Sequence, residues 1–225
     1  MKNGSLRYLP FYLINLVIMA ATTCAVSQIF TLFPAREDGT GMIGLATAVI
    51  FCLLAILSHC LAKGHSLGYL LSYSLNAIGS GCCVGTVFAD YAMEPLVHLL
   101  LIALIPGAVL GILLLLGSTV QNETFLGIWY ISFFVLAVIQ FICGICLWIW
   151  WEPVIGCFTL FTALYLMPLP FACLGHDEKK YRYLSFSGFG AFVLILFVAA
   201  LLLTEGDIFD GFDFDFGSGK NKKKR

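Results

Sequence analysis

The stretch of sequence that decides the fold is TFLGIWYISFFVLAVIQFICGICLWIW, residues 124–150, which contains no Asp, Glu, Lys or Arg. An α-helix needs roughly 20 mainly apolar residues to cross the hydrocarbon layer of a membrane. The stretch lacks the strict two-residue alternation that is typical of a barrel strand in the outer membrane. It therefore predicts a transmembrane helix.

Six further stretches have the same character. With the first one included, the predicted spans are residues 9–33, 42–61, 67–89, 95–116, 124–150, 153–174 and 183–204. Residues 205–225 follow as an acidic and aromatic, then basic, tail that we expect to be disordered.

The composition of the whole chain agrees with this assignment. Of the 225 residues, 60% are hydrophobic and only 11% are charged, whereas a soluble domain carries about 25% charged residues. So few charges exclude a soluble enzyme, a nucleic-acid-binding protein and a disordered chain. We predict an all-α polytopic integral membrane protein, with residues 1–204 forming one bundle of about seven transmembrane helices.

The distribution of basic residues predicts the orientation of this bundle. If the N-terminus is cytoplasmic, the only basic residue in an outer loop is Arg36. The inner loops and the N-terminal segment then hold Lys2, Arg7, Lys63, Lys179, Lys180 and Arg182. Basic residues in short loops favour the cytoplasmic side, although the basic end of the tail opposes this bias. We expect a plasma-membrane protein with a cytoplasmic N-terminus and an extracytoplasmic C-terminus.

No Asp, Glu, Lys or Arg lies in the middle of any predicted span. Ionisable residues inside a membrane usually mark proton relays and ion pathways. Their absence from the sequence disfavours a carboxylate-based proton antiporter, a voltage sensor, an aspartyl protease and a retinal protein. The sequence contains no recognisable catalytic constellation, so we expect neither enzymatic activity nor a cofactor.

The third predicted span carries a polar face. Ser72, Asn76 and Ser80 recur every four residues, which places them on one side of a helix. Such a face can line a path for a solute, or it can form hydrogen bonds across a contact between helices. Gln140, a lone amide in the fifth span, allows the same two interpretations.

Pairs of glycines predict where helices approach closely. Gly81 and Gly85 form a G-x-x-x-G motif in the third span, and Gly107 and Gly111 form another in the fourth. Small residues at this spacing let two helix backbones come together. We therefore expect the third and fourth spans to pack tightly against each other.

Two other patterns each have a functional and a structural interpretation. Cys143 and Cys146 form a C-x-x-C motif, which is typical of thiol redox sites, but cysteine is also a good apolar packing residue. Glu94 and His98 are four residues apart and could bind a metal at the membrane boundary. A boundary histidine beside a carboxylate is the alternative, and we expect no bound metal.

These observations favour one function and leave two alternatives open. A bundle with polar positions but no fixed charge suggests a small permease-like or transport-accessory protein for a neutral or weakly polar solute. A scaffold subunit of a membrane complex is the first alternative, and a membrane thiol-redox protein is the second. The expected partners are the lipid bilayer and other membrane subunits or further copies of this chain, but not nucleic acid.

Overall fold

The computed structural model describes residues 9–32, 40–93, 97–117, 123–173 and 180–203. All regular secondary structure in these ranges is helical. The helices are α1 (Leu9–Leu32), α2 (Thr40–Leu61), α3 (Ser66–Asp90), α4 (Val97–Gly117), α5 (Glu123–Trp150), α6 (Pro153–Leu166), α7 (Leu169–Cys173) and α8 (Lys180–Leu203). The predicted all-helical fold is confirmed, and the predicted tail at residues 205–225 lies outside the described residues.

Within the described ranges, five helices are long and apolar enough to cross a membrane. They contain the segments Leu9–Phe30, Gly41–Leu61, Ser66–Asp90, Phe125–Trp150 and Tyr181–Leu203. Two shorter apolar helices, Leu101–Gly117 and Pro153–Leu166, accompany them. Helices suit this environment because lipid offers no hydrogen-bond partner to an exposed backbone group. The molecule is a helical bundle of the membrane type.

The bundle is built around two buried helices. α3 packs against α1, α2 and α8, while α6 packs against α4 and α5. Contacts of α1 with α4, and of α6 and α7 with α8, join the two groups. The surfaces of α2 and α5 are largely apolar and exposed, as expected for helices that face lipid.

α1, α3 and α8 all run in the same direction. Along α1, Met19 lies beside Gly81 and Thr23 lies beside Gly85. The α8 contacts show the same order, because Ser185 bonds to Ser72 whereas Phe192 packs on Gly79. The start of α1 and the end of α8 consequently lie at opposite ends of the bundle.

The tight turn between α2 and α3 makes these two helices antiparallel. Lys63 and Gly64 both have positive φ angles, 43° and 95°. Of the two residues, only the glycine adopts such an angle without steric cost. Ser58 then donates a hydrogen bond to the Gly68 carbonyl at 2.9 Å. The turn thereby places the end of α2 beside the start of α3.

The sixth predicted span, residues 153–174, is not one continuous helix. α6 ends at Leu166 and α7 begins at Leu169. Pro168 and Pro170 have no N–H to donate to the carbonyls of Leu164 and Leu166, and a proline ring also clashes with the preceding helical turn. Both prolines are buried, so the break lies inside the bundle.

Candidate functional site

Three buried tyrosines meet where the two helix groups join. Tyr12 of α1, Tyr73 of α3 and Tyr165 of α6 are each at most 2% exposed. The Tyr165 ring centroid lies 6.3 Å from that of Tyr12 and 6.0 Å from that of Tyr73. We call these three residues the tyrosine cluster. Offset aromatic contacts of this kind stabilise a packed core.

Neighbouring glycines make room for the rings of this cluster. Tyr12 packs directly on Gly111, and its hydroxyl donates to the Gly107 carbonyl of α4 at 2.9 Å. A Cβ atom at Gly188 of α8 would lie 2.5 Å from the Tyr73 ring. The rings therefore occupy space that any larger residue at these glycines would fill.

The hydroxyl groups of the cluster differ in their hydrogen-bond partners. Tyr12 has its carbonyl partner on α4. The Tyr165 hydroxyl interacts with the Tyr73 hydroxyl, but it has no partner at full hydrogen-bonding geometry among the described residues. Tyr165 therefore retains hydrogen-bonding capacity inside the bundle.

A chain of hydrogen bonds leads from the rim of the bundle to α3. His59 Nδ1 lies 2.9 Å from the Ser185 hydroxyl, and Ser185 donates to the Ser72 hydroxyl at 2.7 Å. We call these residues the serine–histidine chain. The His59 ring packs on Tyr69 and Phe186, with centroid distances of 4.9 and 4.7 Å. The chain links α2, α8 and α3 near the end of the bundle where α1 begins.

The predicted polar face of α3 is turned inward. Ser72, Asn76 and Ser80 are each at most 2% exposed. The Asn76 amide nitrogen donates to the Ser72 carbonyl at 3.0 Å, whereas its oxygen has no partner among the described residues. The Ser80 hydroxyl likewise lacks a partner there. The face borders α8, because the Cβ of Asn76 lies 3.6 Å from the Cβ position at Gly188.

Asn15 of α1 is a buried amide that the sequence analysis missed. Its side chain is 2% exposed, and its amide nitrogen donates to the Phe11 carbonyl at 2.7 Å. Its oxygen has no partner among the described residues. A polar amide between the apolar residues of the first span was the available signal. Tyr12, His59, Tyr165 and Ser185 were also not singled out as site residues.

Gln140 links α5 to α6, and its partner Thr162 faces Gly107, whose carbonyl accepts a hydrogen bond from the Tyr12 hydroxyl. Its amide nitrogen donates to the Thr162 hydroxyl at 3.0 Å and lies 3.3 Å from the Thr159 carbonyl. The Gln140 oxygen has no partner within the described ranges. The side-chain bonds of Gln140 are therefore to α6 and not to the polar face of α3.

The four glycines mark close helix contacts, but not the predicted one. A Cβ atom at Gly81 would lie 2.7 Å from the Met19 carbonyl oxygen, and one at Gly85 would lie 2.8 Å from that of Thr23. Their partner is therefore α1 rather than the fourth span. Gly107 faces Thr162 of α6, and Gly111 faces Tyr12 of α1.

The remaining candidate residues do not assemble into a site within the described residues. Cys143 and Cys146 are free thiols on α5, the first exposed and the second half-buried. Glu94 and the side chain of His98 lie outside the described residues. No group of three or more metal-ligating side chains occurs in the described ranges.

Comparison of the chain with protein-family models, with curated proteins and with solved structures finds no match.

Proposed function

We propose that this protein is a small permease-like or transport-accessory protein that handles a neutral or weakly polar solute. In this proposal the bundle crosses a plasma membrane seven times. The solute would pass the region where the tyrosine cluster meets the polar face of α3.

The observation that carries the proposal is the set of buried oxygens without partners. Asn15, Asn76 and Ser80 each have such an oxygen on a side chain that is at most 2% exposed. An unsatisfied buried polar group costs about 1–3 kcal/mol, and native structures satisfy most of their buried polar groups. A polar solute that enters the bundle would supply the missing hydrogen bonds.

The break between α6 and α7 supports the same interpretation. Transporters commonly place interrupted helices beside their substrate sites, where released backbone carbonyls can contact the solute. Here the break follows Tyr165 by one residue and involves the buried Pro168 and Pro170.

The proposal can be tested by measuring permeability. Proteoliposomes that contain the purified chain are mixed with hyperosmotic erythritol, and their re-swelling is followed by light scattering. We expect faster re-swelling than in empty liposomes, and we expect the Asn76→Leu variant to lose the difference. Ser132→Ala, on the exposed face of α5, is the matched control and should retain it. Re-swelling at the rate of empty liposomes would contradict a permease for solutes of this class.

The direction of the helices supports the proposed topology. α1 and α8 run in the same direction, as seven crossings require. We propose a cytoplasmic N-terminus on the basis of the basic residues in the loops. A reporter fused after Lys180 should then be cytoplasmic, and one fused after Gly39 should be extracytoplasmic. A cytoplasmic signal at both positions would contradict the seven-span topology.

A scaffold subunit is the second candidate, and the burial of the α3 polar face favours it. Ser72, Asn76 and Ser80 all contact protein rather than an open surface. In a scaffold these groups would only join helices, and the chain would co-purify with a stoichiometric membrane partner. Native mass spectrometry of the chain extracted from its own membrane distinguishes a permease monomer from such a complex.

A further inference from the structure

Among the side chains that the structure describes, positive and negative charges lie at opposite ends of the bundle. Lys63 in the turn between α2 and α3, and Arg182 near the start of α8, lie at the end where α1 begins. Asp90 ends α3 and Glu152 directly precedes α6. Both lie at the other end, where the ends of α3 and α5 are in contact. We call the end with Lys63 and Arg182 the basic end, and we expect an anionic partner there.

Arg182 occupies a position that is unfavourable for a cation. The first turn of α8 contains Lys180 and Arg182 but no acidic residue. The N-terminus of a helix carries a partial positive charge and backbone N–H groups without intrahelical partners, so it favours anions. The Arg182 guanidinium has no carboxylate partner among the described side chains, because the described carboxylates lie at the other end. A bound anion would offset the charge of the side chain and that of the helix terminus together.

Aromatic contacts hold this positive charge at a defined position. The guanidinium carbon of Arg182 lies 5.7 Å from the centroid of the Phe186 ring, within the range of a cation–π interaction. The Phe186 ring also packs on His59 of α2, with 4.7 Å between the centroids. His59 is fixed in turn by its hydrogen bond to Ser185. We call Arg182, Phe186 and His59 the arginine site, which joins the start of α8 to the end of α2.

An exposed apolar stripe runs along α8 from the arginine site. Phe186, Phe189, Val193 and Phe197 follow Arg182 at intervals of four, three, four and four residues, so they lie on one side of the helix. Their side chains are 37–58% exposed. From Phe186 to Phe197 the helix rises by about 16 Å, which is about half the thickness of the hydrocarbon layer. The stripe therefore matches the depth of one lipid leaflet.

We propose that the arginine site binds the phosphate of an anionic phospholipid, whose acyl chains lie along the apolar stripe of α8. A guanidinium group can form two parallel hydrogen bonds to one phosphate. A soluble phosphate would leave the stripe unused, and phosphatidylcholine carries a cation that cancels the charge of its phosphate. In the proposed topology the basic end is cytoplasmic, and anionic lipids are typical of the cytoplasmic leaflet. The inference does not depend on the transport of a solute.

Lipid preference can be measured on the unmodified chain. The full chain in a neutral detergent is mixed with equal amounts of phosphatidylglycerol and phosphatidylcholine that have identical acyl chains, and native mass spectrometry counts the bound lipids. We expect one phosphatidylglycerol per chain, retained in preference to phosphatidylcholine by roughly fivefold or more. Equal retention of the two lipids would overturn the proposal.

Variants then locate the site. Arg182→Gln should abolish the preference, whereas Arg182→Lys keeps the charge without the paired hydrogen bonds and should retain only part of it. Lys63→Gln is the matched control, because it removes the same charge from an exposed position at the basic end. The control should keep the preference of the unmodified chain. Equal losses in Arg182→Gln and Lys63→Gln would assign the preference to the general charge of the basic end and overturn the proposed site.

A soluble competitor distinguishes a lipid site from a simple anion site. Glycerol 3-phosphate carries a phosphate ester but no acyl chain, and it is added to the unmodified chain at the concentration of phosphatidylglycerol. We expect the lipid to remain bound, because the stripe contributes to its binding. Displacement of the lipid at this concentration would show that the phosphate alone is recognised and would overturn the assignment to a phospholipid.

Discussion

α3 and α5 are helices of similar length that differ in burial and in hydropathy. In an 18-residue window of α3 the mean hydropathy is 1.2 and 72% of the residues are buried, whereas in the corresponding window of α5 the mean hydropathy is 2.4 and 22% are buried. α3 carries serines, an asparagine and glycines on its surface, while α5 carries exposed isoleucines, valine and tryptophan. The more polar helix is the more deeply buried one.

This difference reverses the rule for soluble proteins. In water the apolar helix would be at the centre, but lipid solvates apolar side chains as well as the protein core does. Polar groups are expensive in lipid and are therefore placed inside the bundle. The same property that makes α3 the weakest span by hydropathy makes it the helix around which α1, α2 and α8 assemble.

We expect the largest difference between the two helices when a glycine in each is replaced by leucine and the folding of the protein is compared. Gly81→Leu in α3 forces a side chain into the Met19 carbonyl of α1, so the helices must separate or the chain must misfold. Overpacking of a core typically costs about 1–3 kcal/mol, and occasionally more. We expect the monodisperse peak in size-exclusion chromatography to be lost.

Gly127→Leu in α5 is the matched control for this substitution. A Cβ atom at Gly127 would meet no described atom within 4 Å. The control should therefore behave like the unmodified chain. If Gly81→Leu were tolerated as well as Gly127→Leu, the close contact between α1 and α3 would be wrong.

A smaller difference in the free energy of unfolding is expected between alanine substitutions at two serines. Ser185→Ala removes the central member of the serine–histidine chain and leaves both His59 and Ser72 without it. We expect a loss of about 1–3 kcal/mol in the free energy of unfolding. Ser132→Ala on the exposed face of α5 should change it by less than about 0.5 kcal/mol. Equal effects in a denaturant titration would mean that the chain does not stabilise the bundle.

A still smaller effect is expected at Gln140. Gln140→Leu removes one link between α5 and α6, but it also removes a buried oxygen that has no partner within the described ranges. Thr162 keeps its own bond to the Thr159 carbonyl at 2.9 Å. We expect the two changes to offset each other to within about 1 kcal/mol. A loss as large as that of Ser185→Ala, in the same titration, would show that α5 depends on this polar link.

The smallest effect should come from the cysteines of α5. Replacing both Cys143 and Cys146 by alanine removes side chains that are exposed or half-buried on a helix facing lipid. We expect unchanged expression, unfolding and erythritol permeability. Loss of erythritol permeability without loss of folded protein, measured on the same preparation, would favour the thiol-redox interpretation instead.

The sequence was sufficient to predict a helical bundle of the membrane type and to place Ser72, Asn76 and Ser80 on one face of a helix. Composition determines whether a chain suits lipid, and the four-residue spacing of Ser72, Asn76 and Ser80 determines that they share a face. The partner of Gly81 was not predictable in the same way. A G-x-x-x-G motif specifies that some backbone approaches closely, but it does not specify which helix provides that backbone.

Two other features depend on neighbours that the sequence does not identify. Pro168 and Pro170 could have left a kinked but continuous helix, because surrounding helices often satisfy the released carbonyls. Asn15 is a single amide, and nothing in its own span shows that α3 carries a second buried amide. The tyrosine cluster likewise depends on the packing of α1, α3 and α6, which their separate sequences do not specify.

The central claim is that the buried polar region around Asn76 opens to a solute during the working cycle. The most direct test introduces cysteine at Asn76 in a background without native cysteines and adds a small, hydrophilic, membrane-impermeant thiol reagent to the folded protein in liposomes. The transport account predicts that this cysteine reacts and that erythritol slows the reaction, while a cysteine at Ser132 is not protected. A cysteine at position 76 that stays unreactive in folded protein would contradict the account and leave the scaffold function as the better explanation.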